Sequence, residues 1–313
     1  MISELSILIP VFNVDVRPLV KSLCQQCEQL PLTFEILLFD DGSGEAAKAL
    51  NRSLSSISEV RYRELPVNIG RSAIRNLLAT EARFSYLLLL DNDCMPASTN
   101  FIAAYVEQAQ EFEVVIGGIT YATASPAKPN RLHWQYGQRA AKPASTRQLH
   151  PYQDVYLSNA LVKRSVYQQI RLCESLKQYG HEDTLFALEL KARQIAVKHI
   201  ESPALHLGLE TSAVFLLKTD QAVGNLVQLY VKGANIRSLK IVKAYTTLRR
   251  YHLLPLFSVL MRLGKGLLLA NLGSAKPSLL LFDLYRLHLF CTKLKQSGTK
   301  ENVPEGAKTV TDT

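Results

Sequence analysis

Two aspartates one residue apart, Asp91 and Asp93, follow directly on four leucines, Leu87 to Leu90. Carboxylates at that spacing bridge a divalent cation through hard oxygen donors, and such a cation holds a diphosphate. The plain alternative is that they cap a helix starting near Pro96, since an acid ahead of a proline is a common helix start. A second acidic pair, Asp40-Asp41, closes the apolar run 34–39 and is followed by Gly42-Ser43. A third, Glu182-Asp183, precedes a helical-looking segment, 184–192, where acids would suit the positive end of the helix dipole.

Elements that could position these groups are legible in the hydrophobic pattern. Residues 5–11 read as a buried strand that Pro10 should end, and 16–30 carries helical spacing through Val16, Leu19, Val20, Leu23, Cys27 and Leu30. Strand 34–39, a helix-like 45–54, strand 60–65, the turn Asn68-Ile69-Gly70, helix 71–80 and strand 86–90 follow. That alternation predicts a parallel α/β sheet, with the strand buried on both faces at 87–90 near its centre. In such a sheet the strand ends lie along one edge, so Asn13, Asp40-Asp41 and Asp91-Asn92-Asp93 should converge there, where ligands bind. No Gly-x-Gly-x-x-Gly follows the first strand and no phosphate-loop motif occurs, so a nucleotide would be held by acids and a metal.

Composition bounds the rest. The chain has 313 residues, 47% of them hydrophobic, enough for one large core or a core plus an appendage. No secretory leader is expected at the start, and five scattered cysteines suggest no disulfide framework and a reducing cytoplasm. Cys24 and Cys27 have redox-like spacing but no second pair, and read as helix residues. The net charge of +9 is uneven: residues 237–295 hold eleven Lys or Arg and one acid, and the remainder is close to neutral.

Six segments in order carry a family resemblance: 6–13, 39–43, 68–76, 91–93, 158–164 and 180–183. Together they resemble a family 2 glycosyltransferase with the GT-A fold, over about residues 5–206. The resemblance implies an α/β nucleotide-diphospho-sugar transferase fold, with a mostly parallel central sheet flanked by helices and a C-terminal helical appendage. It implies a catalytic domain at 1–210, with a donor-binding half at about 1–95 and an acceptor-side half at about 96–210. Donor-binding residues would be Pro10, Phe12, Asn13, Asp41, Asn68, Gly70, Arg75, Asp91 and Asn92. A Mn2+ or Mg2+ ion would sit on Asp91, Asp93 and His206. Asp183 would be the catalytic base, with Glu182 orienting it or the acceptor, and Asn159 and Trp134 would lie on the acceptor side. The plain alternative for His206 is a loop histidine satisfied by backbone groups.

The resemblance implies transfer of one sugar from a nucleoside-diphosphate sugar, expected to be UDP-linked, to a glycan or lipid-linked acceptor in cell-envelope polysaccharide synthesis. One base and one metal fit a single displacement with inversion. No Gln-x-x-Arg-Trp motif occurs, which favours single addition over processive synthesis. The competing readings are a nucleotidyltransferase, disfavoured by the absence of a glycine-rich basic loop after the first strand, and a non-catalytic glycan-binding scaffold. Residues 121–152 read as a long irregular acceptor-side loop containing Trp134.

The segment 211–296 reads as helical and basic, broken at Pro255, Gly264, Gly266, Gly273 and Pro277. Arg262, Lys265 and the two glycines argue against a membrane span in 253–272, and leave peripheral contact with an anionic membrane through 237–295 or packing on the catalytic domain. The expected location is the cytoplasm, at the inner face of the plasma membrane, and no nucleic acid is expected as a partner. Residues 297–313 read as a disordered tail.

Overall fold

Continuous apolar runs with alternating faces build the main sheet. β1 (Glu4–Val11), α1 (Arg17–Cys27), β2 (Thr33–Asp40), α2 (Glu45–Asn51), β3 (Val60–Glu64), α3 (Arg71–Glu81) and β4 (Tyr86–Leu90) follow one another in the expected alternation. The computed structural model describes residues 2–175 and 179–298. Among these the chain divides into two compact units, residues 2–123, 137–175 and 182–208, and residues 124–136, 179–181 and 209–298.

In the first unit, β5 (Cys94–Pro96), α4 (Phe101–Gln108), β6 (Val114–Ile116) and β7 (Ile119–Thr120) come next. Along the chain then follow α5 (Arg131–Ala140), α6 (Ala144–Gln148), β8 (Asn159–Lys163), α7 (Arg164–Gln169), α8 (Glu182–Ala192), β9 (Val197–His199) and β10 (Ala204–His206). The main sheet has the order β3-β2-β1-β4-β8-β6-β9, and a small sheet has the order β5-β10-β7. β1 to β4 are mutually parallel where they pair, and β8 runs antiparallel to both β4 and β6. β4 is therefore central, but parallel to only one neighbour.

Strand alternation sends Leu88 and Leu90 into one core with α1 and α4, and Leu87 and Leu89 into another with α3, α7 and α8. Both layers are fully buried, as four consecutive leucines require. Pro10 does not end β1: pairing with β2 continues to Val11, while pairing with β4 covers only Ser6 to Leu8. Cys24 and Cys27 are buried in α1, and burial pushes their thiols up to about 11 and about 12.

Two expectations are corrected. Pro96 lies in β5, and the next helix starts at Phe101, so Asp91 and Asp93 do not cap a helix there. The stretch 121–152 is not an irregular loop, because α5, α6 and a 3-10 turn at Lys128–Asn130 occupy just over half of it. Its helical spacing is carried by aromatic, histidine and glutamine side chains, which a pattern of aliphatic residues does not reveal.

The second unit is helical: α9 (Ser212–Val231), α10 (Lys240–Arg250), α11 (Leu254–Leu263), α12 (Lys265–Leu272) and α13 (Leu279–Gln296). Thr211 and Ser278 cap α9 and α13, each hydroxyl accepting a backbone N–H three residues on. Phe215, Met261, Leu268, Leu272 and Phe282 form one small core, and Tyr230, Tyr245 and Phe290 pack edge to face in another. Among the described residues no single helix is long and apolar enough to cross a membrane. The pair α11–α12 meets that length and composition, but is bent by 66° at Gly264. The expected tail lies, from residue 299, outside the described residues.

Candidate active site

The loops after β1 and β2, and the turn before α3, are laced together at one edge of the sheet. Asn13, at φ 53°, donates its backbone N–H to Ser43 Oγ at 2.7 Å, and its Oδ1 accepts from the Gly44 N–H at 2.8 Å. Gly42 has φ 77°, and a side chain there would meet the backbone N of Asn68 at 2.7 Å, so only glycine fits. The Asp41 carboxylate accepts from the backbone N–H groups of Ile69, at 2.7 Å, and Gly70, at 3.2 Å. Burial raises the Asp41 pKa, and these two hydrogen bonds oppose the rise. Asp41 thus holds the Asn68–Gly70 turn, and Gly70 at φ 92° starts α3.

α3 then presents Arg71 and Arg75, four residues apart and on one helix face. Arg75 Nη2 reaches Asp91 Oδ1 at 2.5 Å, and Arg71 Nη2 reaches Asp91 Oδ2 at 3.1 Å. Arg71 Nε also donates to Glu182 Oε1 at 3.1 Å, and Arg75 Nη1 lies 3.8 Å from the same atom. Two guanidinium groups therefore join the end of β4 to the start of α8. Arg75 is 2% exposed, and its buried Nε has no hydrogen-bond partner. Such an unsatisfied donor costs about 1–3 kcal/mol and is typical of strained or functional sites.

The acids respond in opposite directions. Burial alone would raise Asp91, but the charges of Arg75 and Arg71 outweigh it and hold Asp91 at about 2. Burial and the charge of Glu182 push Asp183 up to about 7, against the pull of Arg75 and Arg71. Asp91 is fixed as an anion, whereas Asp183 is poised to exchange a proton near neutrality.

Asp93 faces away from this network. β10 pairs antiparallel with β5, setting His206 opposite Cys94, so His206 Nε2 lies 3.5 Å from Asp93 Oδ2. The Tyr121 ring stacks on the imidazole at 5.2 Å. The Leu207 N–H donates to the Asp93 carbonyl at 2.8 Å, and a side chain on Gly208 would come within 2.3 Å of Asp93 Oδ2. Asn92 Nδ2 reaches the Phe12 carbonyl at 3.4 Å, which ties the Asp-x-Asp turn to the end of β1. Phe12, Val67 and Ile69 are exposed apolar side chains on these same loops.

The structure thus brings together Phe12, Asn13, Asp41, Asn68, Gly70, Arg75, Asp91, Asn92, Asp93, Glu182 and His206, with Pro10 one residue inside the end of β1 and Asp183 beside Glu182. Four expectations change. Asp91 does not join Asp93 and His206 around a metal, because its carboxylate is taken by two arginines. Among the described residues no group of three or more His, Cys, Asp or Glu is placed to hold one ion. Asp93 and His206 remain as an oxygen and a nitrogen donor side by side. As a donor pair they would suit a Mn2+ or Mg2+ ion. Arg75 is too deeply buried to be a direct donor contact and acts through Asp91.

Asn159 does not face an acceptor. It is fully buried, its Oδ1 accepts from Tyr105 OH at 2.6 Å, and its Nδ2 donates to the carbonyls of Gly118 and Ser202. Trp134 lies on α5, among the residues of the second unit. Sequence reasoning gave no role to Arg71, Tyr121 or Gly208. The i, i+4 spacing of Arg71 and Arg75 was a signal for the first of these.

Comparison with known proteins places this arrangement. The family model described as glycosyl transferase family 2 matches residues 6–171, just over half of the chain. A curated relative, chondroitin synthase of Escherichia coli, is 31% identical over 108 residues, covering 34% of this chain and 16% of its own length. Among solved structures, a mannosyltransferase from Pyrobaculum calidifontis, in complex with GDP-Man and Mn2+, is similar with a TM-score of 0.57 and 14% identity. That likeness covers 95% of this chain and 88% of that one. TarS of S. aureus is similar with a TM-score of 0.51 and 14% identity, over 74% of this chain and 40% of its own. The chain thus spans well under two thirds of the length of chondroitin synthase and of TarS, and at 14% identity the structural likeness speaks to the GT-A fold alone.

Proposed function

This chain belongs to glycosyl transferase family 2, whose members transfer sugar from a nucleotide-sugar, and we propose that it performs a single, inverting, metal-dependent transfer with Asp183 as base. The observation that carries the reading is one network in which Arg75 and Arg71 grip Asp91 and lower its pKa, while burial and the Glu182 charge raise that of Asp183. Environments that push two carboxylates apart divide the work between a permanent charge and a proton carrier.

The donor is a UDP-sugar. Its base rests against exposed Phe12, Val67 and Ile69, above the turn that Asp41 anchors. Asn13, Asn68 and Asn92 offer side-chain amides to the nucleoside. Asp93 and His206 would hold a Mn2+ or Mg2+ ion, which would supply positive charge to the departing diphosphate. The acceptor hydroxyl attacks the anomeric carbon, the bond from that carbon to the diphosphate oxygen breaks, and the hydroxyl proton passes to an Asp183 carboxylate oxygen. Glu182, held by Arg71, lies beside Asp183, and the repulsion between the two carboxylates favours the proton on Asp183. The acceptor is a glycan or a lipid-linked sugar of the cell envelope, and one residue is added per encounter.

Release of UDP from a panel of UDP-sugars, measured with Mn2+ and after chelation, tests the reading. GDP-mannose serves as the nucleotide control. Turnover of a UDP-sugar that chelation abolishes is the expected result. Metal-independent turnover, or turnover of GDP-mannose alone, overturns the metal or the nucleotide assignment respectively.

A further inference from the structure

α11 is apolar on two sides. Phe257 and Met261 turn into the small core of the helical unit, while Leu256, Val259, Leu260 and Leu263 are exposed. With Leu253, the outward leucines of α11 recur at intervals of three and four residues, which aligns them along one stripe, and Leu267 is exposed on α12 just past the bend. The stripe ends at the corner between α11 and α12, where Leu263 is 78% and Leu267 is 83% exposed. A stripe of large apolar side chains on a folded helix marks an interaction face.

Charge selects the occupant. From Gln221 to Phe282 the sequence contains nine Lys or Arg and no acid, and all nine bases are exposed. Arg262 and Lys265 flank Leu263 at the corner itself. Two copies of this chain meeting through such a face would oppose like charges. A bilayer rich in anionic headgroups offers apolar depth to the leucines and negative charge to the rim. The 66° bend at Gly264 sets the pair as a corner, not as a straight span. We infer that the α11–α12 corner is a docking face for an anionic membrane surface, entered by Leu256, Leu260, Leu263 and Leu267 and held by the surrounding bases. This stands apart from the transferase reading, and neither depends on the other.

Flotation of the full chain with phosphatidylcholine vesicles, with and without phosphatidylglycerol, tests it. Binding is expected only with phosphatidylglycerol and at low salt. It should be lost on passing from about 0.1 M to about 1 M salt, as the screening length falls from about 10 Å to about 3 Å. Leu263→Asp/Leu267→Asp should weaken binding by more than about tenfold, with an unchanged melting temperature because both side chains are exposed. Arg262→Gln/Lys265→Gln should weaken it less and flatten the salt dependence. Absence of binding at low salt overturns the inference, as does wild-type binding by the double aspartate variant. A dimer in solution that this variant splits, with no vesicle binding, would make the face an interface between copies. Release only by detergent would make the pair an inserted segment.

Discussion

The edge of the main sheet and the α11–α12 corner both concentrate charge beside apolar side chains, but they use it differently. At the sheet edge each cation has an address: Arg75 on Asp91, Arg71 on Asp91 and Glu182. At the corner the sequence supplies bases over sixty-two residues with no acid among them. Charges fixed at known distances shift individual proton affinities and so do chemistry. Charges of one sign spread over a surface make a field, which suits adhesion and weakens with salt. The leucines follow suit: those of β4 are fully buried, and those at the corner face outward.

The comparison predicts the largest effect at Asp183. Asp183→Asn should lower kcat by about 10²- to 10⁴-fold while leaving nucleotide affinity unchanged, as single-turnover and binding measurements would reveal. Near-normal turnover would move the base elsewhere, with Glu182 next in line. A leucine pair sharpens the structural half of the contrast. Leu88→Ala, at a fully buried position in β4, should cost about 2–5 kcal/mol in denaturant unfolding. Leu267→Ala should stay within about 0.5 kcal/mol. Similar losses at both sites would mean that the corner is packed.

Gly208→Ala comes next. Its methyl group must displace the Asp93 carboxylate, so Mn2+ affinity read by calorimetry should fall about 10- to 100-fold. The remaining effect is a matter of pH. A carboxyl group raised to about 7 binds its proton more tightly in the folded chain than in the unfolded one, where it titrates near its ordinary value of 3.8. The folded state therefore loses stability as pH rises through that window, and the loss is complete above it. Asp183→Asn removes this dependence, so its melting temperature should exceed that of the wild type by more at pH 8 than at pH 4. Asp91 works the other way: its contribution is present above 3.8 and is lost as pH falls toward 2.

Much of the sheet was legible because buried parallel strands are unbroken apolar runs, and 86–90 matches β4 at both ends. Their acid termini followed from topology alone. Of the strands of two or three residues, β5, β6, β7 and β10 were not legible, since no periodicity fits in so short a span. That cost the reason for His206, which is a strand partner of Cys94 and not a loop residue. The arginine network also escaped, because Arg71 and Glu182 are 111 residues apart and pair only once α3 and α8 have packed. Asn159 was misread because its amide closes the junction of Gly118, Ser202 and Tyr105, which no local pattern shows.

The antiparallel pairing of β8 with β4 sets a timetable for synthesis. Leu90 ends opposite Asn159, so one side of the most leucine-rich strand waits for a partner sixty-nine residues further along. At ribosomal speeds of about 5–20 residues per second, that wait lasts roughly 3 to 14 s. For those seconds the nascent chain holds an apolar strand edge that can pair with any other strand it meets. Chaperone dependence during translation should therefore track the interval between residues 90 and 159, and a slow codon within it should lower the soluble yield.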